Sequence, residues 1–214
     1  MALRRSQVLS FLQEGGYSVI FLQETHTDPT TKDSWWLEWG DRVYFSHYTI
    51  WQAGVVTLIS PNLWPEVLGV AEAVQGCVLH LRARIEGLMV NLINVYAPTS
   101  GPERLQFYQQ ASAFLGTLDS HECLVLGGDF NTTLEERDRS GTERCPAAAD
   151  TLREIVEHHS LMDIWCDHHP DDTSTFTFVH LPRSPSWTTF IYHASISHEP
   201  TPPAFGWPHF LTIA

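Results

Sequence analysis

The feature that most constrains this chain is a set of three short apolar runs, each of which ends in a cluster of polar residues. The clusters are QETH at 23–26, NVYAP at 94–98 and GGDFN at 127–131. Short apolar runs that are bounded by polar or turn residues predict buried strands. Ligand sites in α/β sheets gather at the carboxyl ends of strands, so the three clusters are candidates for a binding or catalytic site.

The side chains in these clusters suit the chemistry of phosphate esters. A lone acidic residue after a strand is usually a solvated loop residue or a helix cap, but three such clusters together favour a site. Glu24 is a suitable ligand for Mg²⁺, which prefers one or two carboxylates with waters and phosphate oxygens. Asp129 is suited to orient or deprotonate a water, Asn131 to fix that water or a phosphate oxygen, and Tyr96 to donate its phenol O–H to the phosphate.

The rest of the chain alternates between helical and strand-like patterns. Helices are predicted at 3–12, 101–118 and 147–159. Strands are predicted at 17–22, 42–47, 54–59, 77–85, 88–96, 122–126, 176–178 and 190–192. The four strands between residues 42 and 96 indicate an antiparallel meander. This mixture predicts an α/β layered sandwich, in which two sheets face each other and helices lie outside them.

The length and composition are those of one domain. A chain of 214 residues with 43% hydrophobic residues can bury a substantial core. We expect the domain to span residues 1–197 and residues 198–214 to form an irregular tail, because four prolines lie at 200, 202, 203 and 208. No apolar run approaches a membrane span, so a soluble, intracellular and monomeric protein without a membrane partner is expected.

The net charge restricts how the chain can bind nucleic acid. With 25 acidic and 12 basic residues, its formal charge is −13. Nonspecific DNA affinity comes from lysine and arginine, so any DNA contact is expected to be local and of low affinity. A divalent cation held by carboxylates would supply the missing positive charge. The four cysteines and the histidine doublets show no spacing typical of a disulfide framework or a zinc site.

The order of QETH, NVYAP and GGDFN resembles the endonuclease/exonuclease/phosphatase superfamily. The surrounding sequence is similar to the endonuclease domain of non-LTR (long interspersed) retrotransposons, over roughly residues 5–195. The resemblance implies a four-layered sandwich of two mixed sheets flanked by helices, and Mg²⁺-dependent or Mn²⁺-dependent cleavage of DNA. It implies that Glu24 binds the metal, that Tyr96 contacts phosphate, and that Asp129 and Asn131 activate water and bind phosphate. An enzyme that acts on genomic DNA would be nuclear.

The chain departs from the family pattern at three places. The family begins with a strand that carries an asparagine, whereas this chain begins at the following helix, so that strand is expected to be absent. Thr189 stands where the family has an aspartate. The family also ends in an Asp-His pair, but Asp167 and His168 come before Thr189, and no such pair follows it.

These departures leave three hypotheses open. The first is a DNA endonuclease of retrotransposon type, with full or impaired activity. The second is a catalytically inactive remnant of a retroelement. The third is a phosphatase or phosphodiesterase that acts on small phosphate esters, because the superfamily uses the same machinery on different substrates.

Overall fold

The protein folds into two β-sheets that pack face to face, with helices on both outer sides. The computed structural model describes residues 2–49, 53–134, 145–163, 190–194 and 210–213. The elements in chain order are α1 (Ala2–Glu14), β1 (Val19–Leu22), a 3₁₀ turn (Pro29–Thr31), α2 (Lys32–Trp39), β2 (Val43–Ser46), β3 (Val55–Ile59), β4 (Glu66–Val74), β5 (Val78–Ile85), β6 (Leu88–Tyr96), α3 (Gly101–Leu115), β7 (Cys123–Asp129), α4 (Pro146–His158), β8 (Leu161–Asp163), β9 (Phe190–Ala194) and β10 (Phe210–Ile213).

Both sheets are mixed. The first sheet has the strand order β10-β1-β3-β2, in which β1 runs parallel to β10 and antiparallel to β3. The second sheet has the order β4-β5-β6-β7-β9-β8, in which β6 and β7 are parallel and the other pairs are antiparallel. The parallel pair brings the carboxyl ends of β6 and β7 to the same edge, which is where the candidate site lies.

The core is divided into three layers, so the predicted four-layered sandwich is confirmed. The central layer lies between the two sheets and includes Phe21 from β1 and Leu81 from β5. Leu12 of α1 and Trp35 of α2 pack on the outer face of the first sheet. On the outer face of the second sheet, α3 and α4 contribute a further apolar layer. Burial of each large apolar side chain stabilises the fold by about 1.5–3 kcal/mol.

The sequence correctly predicts most elements but not their grouping. The strands predicted at 42–47, 54–59, 77–85 and 88–96 all form, yet they do not make one meander. The first two, β2 and β3, belong to the first sheet, and the last two, β5 and β6, belong to the second. The meander of the second sheet begins instead with β4, an exposed edge strand that the sequence pattern did not predict. The short helix α2 was also not predicted.

The tail contributes a strand to the first sheet. We expected residues 198–214 to be irregular, but Phe210–Ile213 form β10, which lies beside β1 in parallel register. As a result β1 has a neighbour on each side, β10 and β3, and the first sheet does not end at β1. The division at residue 197 stays a prediction, and the strand predicted at 176–178 lies outside the described residues.

Two further findings apply only to the residues that the structure describes. None of their helices has the length and apolar character needed to cross a bilayer. Cys77, Cys123 and Cys145 form no disulfide with any of them.

Candidate active site

The carboxyl ends of β1, β6 and β7 bring the predicted site residues together. Tyr96 and Asp129 are register partners in the parallel pair of β6 and β7. The phenol O–H of Tyr96 donates a hydrogen bond of 2.6 Å to Oε1 of Glu24, which follows β1 in the opposite sheet. This contact joins residues that are 72 positions apart and connects the two sheets at one edge.

Glu24 reaches Tyr96 because its backbone leaves the strand geometry of β1. Its φ is +50°, in the left-handed region that non-glycine residues rarely adopt. The turn at Gly54 holds this conformation, because the N–H of Thr25 donates to the carbonyl of Gly54 at 3.1 Å. The N–H of His26 donates to the carbonyl of Ala53, also at 3.1 Å. The position of the Glu24 carboxylate therefore depends on hydrogen bonds to the two residues directly before β3.

Asp129 and Asn131 form a compact loop at the end of β7. The backbone N–H of Asn131 donates to Oδ1 of Asp129 at 2.9 Å. The side chain of Asn131 donates to the carbonyl of Ala97 at 2.8 Å, and the N–H of Ala97 donates to the carbonyl of Asp129 at 2.8 Å. One N–H of the Asn131 side-chain amide is thus engaged with the protein. The loop is tied to the NVYAP segment on both sides, which fixes the direction of the Asp129 carboxylate.

Gly128 is required by the neighbouring strand. Its φ is +145°, and a Cβ at this position would lie 1.9 Å from the carbonyl oxygen of Val95. The lack of a side chain at Gly128 allows β7 to approach β6 closely, which brings Asp129 beside Tyr96.

The electrostatics of the site are set mainly by burial of its ionisable side chains. Burial raises the pKa of Asp129 to about 6, and the negative charge of Glu24 contributes to this increase. The N–H of Asn131 and the guanidinium of Arg104 act in the opposite direction on the pKa of Asp129. Burial and the hydrogen bond to Glu24 raise the pKa of Tyr96, so its phenol stays protonated. Asp129 is therefore poised to exchange a proton near neutral pH.

Arg104 is a charged residue near the site that the sequence analysis did not identify. It is buried at the start of α3, where its side chain donates to the carbonyl of Thr99 at 3.0 Å. The buried face of α3 consists of Arg104, Phe107, Tyr108, Ala111 and Leu115. The signal available in the sequence was an arginine at the helical spacing of the apolar residues of α3. Such an arginine indicates a polar or charged partner in the core, because buried arginine is rare without one.

The donor groups at this edge fit a hard divalent cation. Glu24 is exposed and offers carboxylate oxygens beside the carboxylate of Asp129, and two neighbouring negative charges favour a bound cation. Among the described residues no group of three or more histidine, cysteine, aspartate or glutamate side chains is arranged to hold a metal ion. Glu24 and Asp129 thus offer carboxylate oxygens, which are the ligands that hard divalent cations prefer.

Comparison with known sequences gives two matches that cover most of the chain. The sequence model of the Endonuclease/Exonuclease/phosphatase family matches residues 1–198. A Xenopus laevis protein, described as "Transposon TX1 uncharacterized 149 kDa protein", is 51% identical over 176 residues. The aligned segment is 82% of this chain but only 13% of the relative, so the chain spans a small part of that protein.

Comparison with solved structures identifies the same fold in several proteins. An AP endonuclease from Archaeoglobus fulgidus has a TM-score of 0.70 at 20% identity, over 89% of this chain and 82% of that one. The catalytic domain of Xenopus laevis APE2 has a TM-score of 0.64 at 17% identity, over 89% and 79% of the two chains. Truncated TDP2 from Caenorhabditis elegans has a TM-score of 0.61 at 16% identity, over 91% and 77%. At these identities the likeness establishes the fold.

Proposed function

Because this chain belongs to the endonuclease/exonuclease/phosphatase family, we propose that it is a divalent-metal-dependent DNA endonuclease of retrotransposon type. The observation that carries this proposal is the cluster of Glu24, Tyr96, Asp129 and Asn131 at one sheet edge. The similarity to a protein of transposon TX1 favours DNA as the substrate and disfavours a small phosphate ester. Action on genomic DNA would place the protein in the nucleus.

Each residue has a role that follows from its contacts. Mg²⁺ or Mn²⁺, held by Glu24, would supply positive charge to the phosphate. Asp129 accepts a proton from water as the water oxygen attacks phosphorus, and Asn131 orients that water with its amide. The ester P–O bond breaks as the new P–O bond forms, and the leaving oxygen takes a proton from solvent. Tyr96 holds Glu24 and lies beside the phosphate position.

The distribution of basic side chains supports a local contact with DNA. Four described arginines are already paired with carboxylates, which reduces their attraction for phosphate. These pairs are Arg5–Glu38, Arg82–Glu122, Arg84–Glu66 and Arg153–Asp150. With a formal charge of −13, the protein repels DNA over most of its surface. Affinity should therefore depend strongly on the divalent cation.

The proposal is tested by nicking of supercoiled plasmid with Mg²⁺ and with chelator. We expect Mg²⁺-dependent nicking that falls at least about 100-fold in Glu24→Gln, because the variant loses the metal-binding charge. The matched control is Glu157→Gln on the exposed surface of α4, which should cleave as the wild type does. Nicking that persists at the same rate in Glu24→Gln would mean that the activity belongs to a contaminant or to another site.

The pH dependence of cleavage should reflect Asp129. A carboxylate that accepts a proton must be ionised, so the rate should rise with pH through the pKa of Asp129, which is about 6 without metal. A bound cation would lower this pKa, so we expect a midpoint at or below about 6. Single-turnover rates at saturating Mg²⁺ measure it. A rate that falls as pH rises through this range would contradict the role of Asp129 as a base.

A second candidate is a catalytically inactive retroelement remnant. It is favoured by Thr189, which stands where the family has an aspartate. A folded wild-type protein that shows neither Mg²⁺-dependent nicking nor hydrolysis of small phosphate esters would establish this hypothesis. Hydrolysis of small phosphate esters in a substrate panel, without nicking, would instead indicate a phosphatase.

A further inference from the structure

Two hydrogen bonds lie side by side between the two sheets at the candidate site. One joins Tyr96 to Glu24. The other joins Nε2 of Gln23 to Oδ1 of Asn94 at 2.6 Å, and both of these residues are buried. Gln23 precedes Glu24 in the chain, and Asn94 lies two positions before Tyr96 on β6. The two bonds therefore connect the same two segments.

Asn94 anchors β6 to the opposite sheet. Its side-chain Nδ2 donates to the carbonyl of Val56 on β3 at 3.0 Å and to the carbonyl of Leu22 on β1 at 3.3 Å. Leu22 and Val56 are register partners in the antiparallel pair of β1 and β3. The amide of Asn94 thus binds both strands at the position where β1 ends.

The alternation of side chains explains why Gln23 is needed. Along β1, Val19 and Phe21 face the layer between the sheets, so Gln23 faces it too. In a regular strand Glu24 would then point to the opposite face. Its left-handed backbone redirects it toward Tyr96, and such a conformation persists only when its surroundings hold it. The hydrogen bond from Gln23 to Asn94 fixes the residue directly before Glu24, where the backbone changes from the extended to the left-handed conformation.

The hydrogen bonding of Gln23 is not what stability alone would select. Its Oε1 is buried and has no hydrogen-bond partner among the described residues. A buried polar atom without a partner destabilises the folded state, so Gln23 contributes less to stability than an amide with both groups paired would. The amide therefore calls for a functional explanation.

We propose that Gln23 and Asn94 are positioning residues, which hold Glu24 against Tyr96 so that its carboxylate faces the phosphate site. The inference rests on the proposed nuclease function and assigns a role to two residues outside its reacting groups. Partners that orient a metal-binding side chain typically change metal affinity or activity by about 10–100-fold when they are replaced.

The test uses the full chain with Gln23→Met, Asn94→Leu and the double exchange Gln23→Asn with Asn94→Gln. Gln23→Met removes one unpaired buried oxygen and leaves Oδ1 of Asn94 without its donor, so we expect little change in Tm. We expect kcat to fall about 10–100-fold in both single variants with KM for DNA nearly unchanged. The double exchange keeps one amide on each side and should recover part of the lost kcat.

The matched control is Asn91→Leu. Asn91 is a buried asparagine on the same strand, but its side chain faces the outer side of the second sheet, where it bonds to His80 and Glu122. The same substitution there should lower Tm without lowering kcat in the folded protein. An equal loss of kcat in Asn91→Leu would mean that any damage to β6 impairs cleavage, and the proposal would be overturned.

A second measurement separates this proposal from the nuclease function. Tyrosine labelled at Cζ reports the hydrogen bond of the Tyr96 phenol at pH 7, and Tyr96→Phe assigns its resonance. In Gln23→Met we expect this resonance to move toward that of Glu24→Gln, whether or not the protein cleaves DNA. A resonance that stays at its wild-type position would overturn the positioning role. Absence of cleavage by the wild type, with a moved resonance, would refute only the nuclease function.

Discussion

Replacement of Asp129 by asparagine is expected to lower DNA cleavage by about 10²–10⁴-fold and to stabilise the folded protein at pH 7. The loss of activity follows because asparagine cannot accept a proton from water. The gain in stability follows because burial and the charge of Glu24 disfavour the ionised form of Asp129. Asparagine keeps the size of the side chain and an oxygen that can accept from the N–H of Asn131, but it carries no charge.

The sign of the stability change depends on pH. The pKa of Asp129 is about 6 in the folded protein against an ordinary value of 3.8, so the folded state binds more protons between these values. Ionisation of Asp129 therefore lowers the free energy of unfolding as pH rises through this window. At pH 7 we expect Asp129→Asn to be more stable by about 1–3 kcal/mol, with the difference vanishing as pH falls below about 4.

Urea denaturation at pH 7 and at about pH 4, with chelator present, measures this difference in the free energy of unfolding. Glu157→Gln on α4 is the control, because this substitution removes the same charge from an exposed side chain. A variant Asp129→Asn that is less stable than the wild type at neutral pH would show that the ionised carboxylate is well solvated or paired, and the raised pKa would be wrong. Retention of cleavage would exclude Asp129 as the base.

Gly128→Ala is expected to destabilise the protein by at least about 3 kcal/mol. A Cβ at this position would lie 1.9 Å from the carbonyl oxygen of Val95, and the backbone φ of +145° is one that side-chain-bearing residues rarely adopt. Relief of the clash requires β7 to move away from β6. Such a movement also breaks the register that places Asp129 beside Tyr96, so cleavage should fall in whatever fraction still folds.

The control for this prediction is Gly69→Ala on β4. At Gly69 an added Cβ would meet no atom within 4 Å, so we expect a change within about 0.5 kcal/mol. Chemical denaturation of both variants gives the comparison. Equal stabilities for Gly128→Ala and the wild type would mean that β6 and β7 are not as close as the structure has them.

The two predictions differ in sign because the residues serve different purposes. Gly128 allows two strands to approach, so its replacement weakens the fold. Asp129 carries a charge that burial disfavours, so its replacement strengthens the fold and removes the proposed chemistry. A folded protein that keeps a destabilising carboxylate is consistent with selection for a site.

Much of the local structure was determined by the sequence itself. The strands that carry the site are short apolar runs ended by polar residues, and this pattern depends only on neighbouring residues. The same is true of α1, which ends directly before the glycine pair at positions 15 and 16. Gly16 adopts a φ of +69°, which is the left-handed conformation that commonly follows a helix. Glu24, Tyr96, Asp129 and Asn131 were identified from such local context, and the structure brings them to one edge.

What the tertiary structure decided was the set of contacts between distant segments. The left-handed turn of Glu24 depends on hydrogen bonds to the segment around Gly54, and its carboxylate meets Tyr96 from the other sheet. The pairing of Gln23 with Asn94, like the parallel strand β10 beside β1, has no local pattern that would reveal it. A residue's conformational preference is carried by its neighbours in sequence, whereas a contact between sheets depends on how the whole core packs.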